Sequence, residues 1–453
     1  MRASEHRMPV FGHENQVCVQ REGTVPACAD LIVLGHETKY DGRVQLRYSF
    51  RLDPTPGQRQ ALARAFGCAR VVWNDALAIR KAAREAGQPW PKTGDLSKRL
   101  ITEAKRTPGR TWLSDAPVGV MQQSLRDLDT AYRNFFDSLS GKRKGPRVRE
   151  PRFKSRKDNR QAVRYTVSDR FSVRPDGKLR LPKIGEVKVR WSRDLPSVPS
   201  SVTVVKDASG RYFASFVVVT DEMEDLGRFR AGDDYMETGI DLGLTHFAVL
   251  SDGRKVESPK FLRRAEKKLK KLQQSLARKQ KGSSNRRKAV LKVARAHAHV
   301  ADARRDFHHK LSTTLIRENQ AVYVEDLCVA GLGRTRLAKS VHDAGWSSFV
   351  GMLEYKAARY GWYFGKIGRF EPSSQTCTNC WAIDGKKPLS VRTWMCSGCG
   401  ATHDRDVNAA KYVLAAGRAD RVNARGGQVR PQRAAAPAAE TGTRRSEPAG
   451  ATR

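Results

Sequence analysis

A multidomain α/β protein is the fold class this sequence predicts, and three observations carry it. An alternating strand at 44–52 precedes a helical block at 55–140, and short strands return at 171–190 and 200–220. A second set of strand signals, 236–250 and 321–327, brackets a long basic helical stretch at 260–318. Two Cys-x-x-Cys pairs then mark a metal-held ribbon at 374–402.

With 453 residues the chain has room for two to four domains, and its 39% hydrophobic share is enough for real cores. The excess of 85 Lys and Arg over 47 Asp and Glu, a net charge of +38, is the footprint of a polyanion-binding protein. No run of roughly 18 apolar residues exists, so no transmembrane helix is expected. A signal-peptide core is absent from the N-terminus as well. Cys18, Cys28, Cys68 and Cys328 are scattered and read as free thiols of a reducing cytoplasm.

Residues 1–43 lack periodicity and read as a disordered N-terminal extension. The strand at 44–52, Val-Gln-Leu-Arg-Tyr-Ser-Phe-Arg-Leu, alternates polar and apolar residues. Thr55, Pro56 and Gln58 then spell a capped helix start. That helix carries Leu62, Ala65 and Phe66, is expected to break near Gly67, and resumes through Val72, Trp73 and Leu77. Further helices are expected at 93–106 and 117–140. The stretch 141–160 holds ten Lys or Arg against two acids, with Gly and Pro that make it a loop. Lys142, Arg143, Lys144, Arg152, Lys154 and Arg164 are candidate phosphate contacts there, and Phe153 and Tyr165 are candidate base-stacking rings. The strand at 44–54 together with 141–220 is expected to close a small β-barrel, into which 55–140 is inserted.

Within 260–310, eighteen Lys or Arg face three acids. Leu262, Leu269, Leu272 and Leu276 form one apolar stripe and Ser283-Ser284-Asn285 a turn, which predicts an antiparallel basic hairpin. Lys267, Lys268, Lys270 and Lys271 of its first helix are candidate phosphate contacts. After about residue 415 the composition turns to Ala, Gly, Arg and Pro, and a disordered basic tail is expected over 416–453.

Three acids stand in distinctive settings. Asp241 lies mid-strand in Gly-Ile-Asp-Leu-Gly, where a buried carboxylate is costly without a metal or partner. Glu325 ends the apolar run 321–324. Asp406 falls in the first turn of a helix that Asp404 can cap. Three carboxylates from three elements can hold two divalent cations, magnesium by abundance and ligand type, in the arrangement that hydrolyses phosphodiesters. Cys377, Cys380, Cys396 and Cys399 have the spacing C-x2-C-x15-C-x2-C, a structural zinc signature with no open ligand position. Lys386, Lys387 and Arg392 between the pairs read equally as nucleic-acid contacts or as solubilising charge.

These motifs resemble TnpB-type, transposon-encoded RNA-guided DNA endonucleases, relatives of the type V CRISPR effectors. The resemblance rests on Gly239–Gly243, on Val324-Glu325-Asp326-Leu327, on the ribbon entry Ser374-Gln375-Thr376-Cys377, and on Asp404-Arg405-Asp406-Val407-Asn408-Ala409-Ala410. Tyr48–Leu52 with Pro54-Thr55-Pro56, Phe66-Gly67-Cys68 with Val72-Trp73-Asn74, and Pro151-Arg152-Phe153-Lys154 match too. It covers roughly 44–415. The sequence departs from the family pattern at Trp381, where glycine is usual, and in its long N-terminal extension. The resemblance implies a RuvC-type site of Asp241, Glu325 and Asp406 on an RNase H-like nuclease domain at 236–415. It also implies a recognition lobe at 55–140 and a wedge barrel from 44–54 plus 141–220. The implied partners are a guide RNA from the transposon end and double-stranded target DNA beside a short flanking motif, in a prokaryotic cytoplasm at the nucleoid. Two other readings fit the same motifs: a nuclease-inactive RNA-guided regulator, and a protein-only transposase or resolvase.

Overall fold

The computed structural model describes residues 44–143, 145–158, 160–220, 235–388 and 390–424. The extension at 1–43 lies outside the described residues. Strand β1, Val44–Asp53, buries Leu46, Tyr48, Phe50 and Leu52 on one face. Thr55 and Gln58 form a reciprocal capping box that starts helix α1, Pro56–Glu85. The expected break near Gly67 is absent. Phe66, Ala69, Val72, Trp73 and Leu77 keep one face buried across it, and that burial outweighs the ~1 kcal/mol glycine cost. Helix α2 (Thr93–Ser97), short irregular helical turns to Asp115, and helix α3 (Val118–Leu139) complete the block.

Six strands follow: β2 (Gln161–Thr166), β3 (Ser172–Val173), β4 (Leu179–Leu181), β5 (Gly185–Arg190), β6 (Ser201–Lys206) and β7 (Tyr212–Thr220). With β1 they make an antiparallel sheet of order β2-β6-β7-β1-β5-β4-β3. Its two ends share one core, since Val163 and Tyr165 of β2 cluster with Leu179 and Leu181 of β4. No pairing joins β2 to β3 among the described residues, so the sheet wraps its core without hydrogen-bonded closure, short of the closed barrel expected. One correction follows from β2, which the basic composition of its surroundings masks. Val163 and Tyr165 alternate inward there, and Tyr165 is fully buried, so it is a core residue and no base can stack on it.

The second sheet is mixed. Its strands β8 (Glu237–Asp241), β9 (His246–Leu250) and β10 (Lys255–Glu257) are antiparallel neighbours. Helices α4 (Phe261–Ala277) and α5 (Ser284–Glu318) form the basic hairpin, with Ser283 capping the second helix. Strand β11 (Ala321–Glu325) pairs in parallel with β8, and after helices α6 (Val329–Leu332), α7 (Ala338–Ala344) and α8 (Trp346–Tyr360), strand β12 (Tyr363–Ile367) pairs in parallel with β11. Strands β13 (Thr393–Met395) and β14 (Thr402–Asp404) form the ribbon hairpin, and helix α9 (Arg405–Ala424) closes the described chain.

Strand β11 is covered on both faces, as its unbroken apolar run requires. Val322 and Val324 pack with Leu315, Phe349 and Leu353 on one side. Ala321 and Tyr323 pack with Tyr412, Val413 and Ala416 of α9 on the other. The expected disordered tail therefore begins too early: residues 416–424 continue α9, because Ala416 and Ala419 are buried. The rest of that tail lies outside the described residues. No helix among the described residues is long and apolar enough to cross a membrane.

Candidate active site and metal centre

Parallel pairing brings two of the acids to one end of the sheet. Val324 stands opposite Ile240, so Glu325 and Asp241, each one residue on, end neighbouring strands side by side. The third comes from α9, which lies directly on β8. A Cβ at Gly239 would meet the Ala410 carbonyl at 2.2 Å and the Leu414 nitrogen at 2.4 Å. Only glycine permits that approach, and it sets the depth at which Asp406 reaches the strand ends. The far end of α9 is fixed to the same strand, where Arg418 and Arg421 pair with the buried Glu237.

Electrostatics reflect the neighbourhood of the three carboxyls. Burial pushes the Asp241 carboxyl up to about 8, and the charges of Glu325 and then Asp406 add to the shift, against Arg405 and Arg392. Like charges that cannot all ionise are the arrangement a cation relieves. Among the described residues, only the cysteine set brings all its ligand atoms within 4.8 Å of one another, so the carboxylates are spread more widely than that. Neighbours hold the acids in place. Ser373 donates to Glu325 Oε1, and Arg392 Nη1 donates to both Asp406 oxygens at 3.3 and 3.4 Å. The His246 imidazole stands with Nδ1 4.0 Å from Asp406 and Nε2 3.6 Å from Glu257.

The run 404–410 divides its labour residue by residue. Asp404 caps α9, accepting from the Asp406 and Val407 amides at 3.1 and 3.0 Å. Arg405 donates its amide to the Arg392 carbonyl at 2.8 Å and its guanidinium to the Pro388 carbonyl at 2.7 Å. Asn408 is buried. Its Oδ1 accepts from Thr378 N and Oγ1 at 3.1 and 2.9 Å, and its Nδ2 donates to the Thr376 carbonyl at 2.7 Å. The segment that carries Asp406 is thereby tied to the first cysteine knuckle. Ser373, His246 and the carboxylate contact of Arg392 escape sequence reasoning, because each is a pairing across the fold with no local pattern; Asn408 enters it only as a member of the 404–410 run.

The four cysteine sulfurs converge, with Cys377 to Cys399 at 3.7 Å and Cys380 to Cys396 at 3.6 Å. Four thiolates about 2.3 Å from one tetrahedral ion would stand close to that spacing, so the donor set fits zinc. His403 Nε2 lies 3.0 Å from Cys377 Sγ, the kind of outer contact that orients a metal ligand. Trp381 takes the left-handed conformation, φ 63°, which glycine adopts without steric cost; its ring packs 5.9 Å from that of Tyr412. Cys68 and Cys328 are free, Cys68 buried and Cys328 exposed, while Cys18 and Cys28 lie outside the described residues.

The candidate contacts for nucleic acid divide. Lys142, Arg143, Arg152, Arg164, Lys267, Lys268, Lys270 and Lys271 are exposed. Phe153 is 56% exposed, with Lys81 over its ring. Lys154 is committed to the Trp73 ring at 3.5 Å, while the Asn74 side chain holds its backbone. Lys144 lies outside the described residues. On the ribbon, Lys387 packs over Trp394 at 3.7 Å and pairs with Asp384, so it is a strut of the hairpin.

Residues 234–336 match the family described as "Probable transposase" (OrfB of IS605), 346–413 the Cas12f1-like TNB domain, and 44–89 a helix-turn-helix domain; this last segment folds here as β1 and the single helix α1. A Streptomyces pristinaespiralis protein named "Putative RNA-guided DNA endonuclease" is 43% identical over 86% of this chain and 93% of its own length. An Escherichia coli K12 protein of the same description is 32% identical over 82% and 92%. A TnpB-like protein of Acanthamoeba polyphaga mimivirus is 23% identical over 51% and 46%. The solved Cas12f1–sgRNA–target DNA complex is similar at TM-score 0.46 and 12% identity, over 78% of this chain and 82% of that one.

Proposed function

The chain belongs to the TnpB family, with the OrfB proteins of IS605-type transposons, and from that membership we propose that it is a guide-RNA-directed, metal-dependent DNA endonuclease. The observation that carries the proposal is the strand register that sets Asp241 beside Glu325, with Asp406 carried toward the same strand ends by the close packing of α9 on Gly239. Names of relatives 43% and 32% identical, each covered over more than nine-tenths of its length, support the guide RNA and the DNA target.

Asp241, Glu325 and Asp406 would hold the magnesium ions, which when bound supply an activated water and stabilise the charge on the leaving oxygen. The chain's own residues prepare that site. Strands β8 and β11 fix two carboxylates at one sheet edge, Ser373 orients Glu325, and the cap at Asp404 fixes Asp406. Apolar cover on both faces of β11 keeps the sheet rigid beneath them. Cys377, Cys380, Cys396 and Cys399 would hold one zinc ion that braces the ribbon against α9.

In this reading 236–415 is an RNase H-like, RuvC-type nuclease domain. The seven-stranded sheet is the wedge and 55–140 the recognition lobe, with the hairpin α4–α5 and the 141–160 loop following nucleic-acid phosphates. A protein bearing Asp241→Ala should bind guide RNA normally and cut no DNA; cutting at the wild-type rate refutes the assignment. The presence of all three acids favours hydrolysis over a purely regulatory, nuclease-inactive role. RNA of defined sequence copurifying with the protein distinguishes the proposal from a protein-only transposase or resolvase.

A further inference from the structure

We propose that Phe370, on the loop that joins β12 to the cysteine ribbon, stacks on an unpaired nucleobase of the strand being cut and so sets the scissile phosphate against the carboxylates; this rests on the reading of Asp241, Glu325 and Asp406 as the hydrolytic site.

Single exposed apolar side chains are ordinary, so exposure alone carries nothing. Phe370 is 93% exposed, the most of any large apolar side chain among the described residues, and no ring or cation of those residues packs on it. What distinguishes it is the rigidity of its seat. Arg369 and Phe370 form the corners of a turn that the Glu371 amide closes on the Gly368 carbonyl at 3.4 Å. On one side of the ring, Arg369 grips the residue that follows Glu325. Its Nη2 donates to Asp326 Oδ2 at 2.6 Å and its Nε to the Asp326 carbonyl at 3.3 Å. On the other side, the Ser373 hydroxyl donates to Glu325 Oε1. Between them, Glu371 accepts from the hydroxyl of Tyr412, on the helix that carries Asp406, and its carbonyl takes the Ser373 amide at 2.9 Å. The turn is thereby tied to the segments that bear two of the three acids, while the ring is left to water. Turn corners ordinarily go to polar residues and glycine, and a mere connection from β12 to the ribbon needs no aromatic there. A π-face held in water suits one partner in the proposed reaction. Every base presents such a face, and stacking on it is tolerant of sequence, as suits an enzyme whose specificity lies in guide pairing. Bases within a duplex are already stacked on their neighbours, so the ring takes one that has been unpaired. Immobilising that nucleotide removes rotations of the sugar–phosphate backbone, and hydrolysis requires the attacking and leaving oxygens in line.

The test is single-turnover cutting by the guide-loaded protein at saturating Mg2+, for wild type, Phe370→Ala, Phe370→Leu and Phe370→Tyr, on targets carrying one abasic nucleotide at successive positions around the cut. Phe370→Ala should slow cutting of the intact target roughly 5- to 150-fold, the effect of one lost base–aromatic stack. Phe370→Tyr should keep most of the rate, whereas Phe370→Leu, apolar but without a π-face, should not. At one position next to the cut, the abasic nucleotide should slow wild type by a similar factor and Phe370→Ala scarcely further, the non-additivity of two groups in contact. Zinc content, guide binding and Mn2+ binding read by electron paramagnetic resonance should stay within about twofold, as for an exposed side chain that supports no other part of the protein. Wild-type cutting by Phe370→Ala or by Phe370→Leu overturns the proposal, as do additive effects at every abasic position. Weakened Mn2+ binding would make the ring a prop for the Glu325 segment, and a changed oligomeric mass of the loaded protein would make it a contact between copies; either overturns it. Asp241→Asn is assayed in parallel. If that variant cuts normally, the hydrolytic-site reading itself fails; if it is inert while Phe370→Ala cuts normally, only the stacking role fails.

Discussion

Asn408 shows how much one side chain can hold. It satisfies two donors and one acceptor of the first cysteine knuckle from a buried position on α9. Asn408→Ala leaves those groups unpaired, so a loss of about 2–4 kcal/mol is expected from unsatisfied buried partners, read as a lower melting temperature together with faster zinc release to a chelator. His308 sets a pH response in the same domain. It is buried, bonds to the Ala344 carbonyl, and burial holds its imidazole down at about 4 against an ordinary 6.5. Between those values the unfolded chain binds a proton that the folded chain refuses. Its contribution to stability is therefore complete above pH 6.5 and is lost as pH falls toward 4. Denaturant titrations across that window should steepen for the wild type relative to His308→Gln, by up to about 3 kcal/mol; equal slopes would remove His308 as the cause. At this scale the sequence is readable where chemistry is costly: Asp241, expected mid-strand and found at the end of β8, and the four cysteines announce themselves. Tyr165 does not, because an aromatic near a basic run looks the same whether it faces solvent or core.

At the scale of elements, the junction of β8 with α9 decides whether the site exists. Gly239→Ala would drive a methyl into the α9 backbone, and Gly417→Ala would drive one into the Tyr323 ring, which stands 2.2 Å from where the Cβ would lie. Overpacking of this kind costs about 1–3 kcal/mol. The two changes should separate in assay. Gly239→Ala lies near the acids and should slow cutting well beyond its effect on melting, whereas Gly417→Ala, near the Glu237 pairs, should lower melting with less loss of rate. Strand β1, the capping box of α1 and the hairpin α4–α5 are all visible in the sequence, because each writes its own period and its own stop signals. Helix α8 and strand β12 are not. Trp346, Phe349, Leu353 and Ala357 pack under β11 and β12, a long-range partnership with no local marker. The continuity of α1 through Gly67 is likewise a tertiary effect overriding a local propensity.

For the whole molecule, charge sets the behaviour. With a net charge of +38, binding of RNA or DNA should weaken steeply and log-linearly with salt, and the slope should fall by about one for each phosphate-contacting lysine removed from Lys267, Lys268, Lys270 and Lys271. A flat dependence would deny those lysines any phosphate contact. The overall organisation, two sheets with a helical block and a ribbon, follows from motif order along the chain, while the incomplete wrap of the seven-stranded sheet depends on strand-end pairings that no local pattern encodes. Strand β14 ends at Asp404 and helix α9 begins at Arg405, with no spacer between them. The cysteine-bearing hairpin and the third acid therefore travel as a single lever. Any swing that admits a strand of DNA must pivot outside 393–424, so a glycine pair inserted between Asp404 and Arg405 should uncouple the two halves, leaving zinc bound while cutting stops.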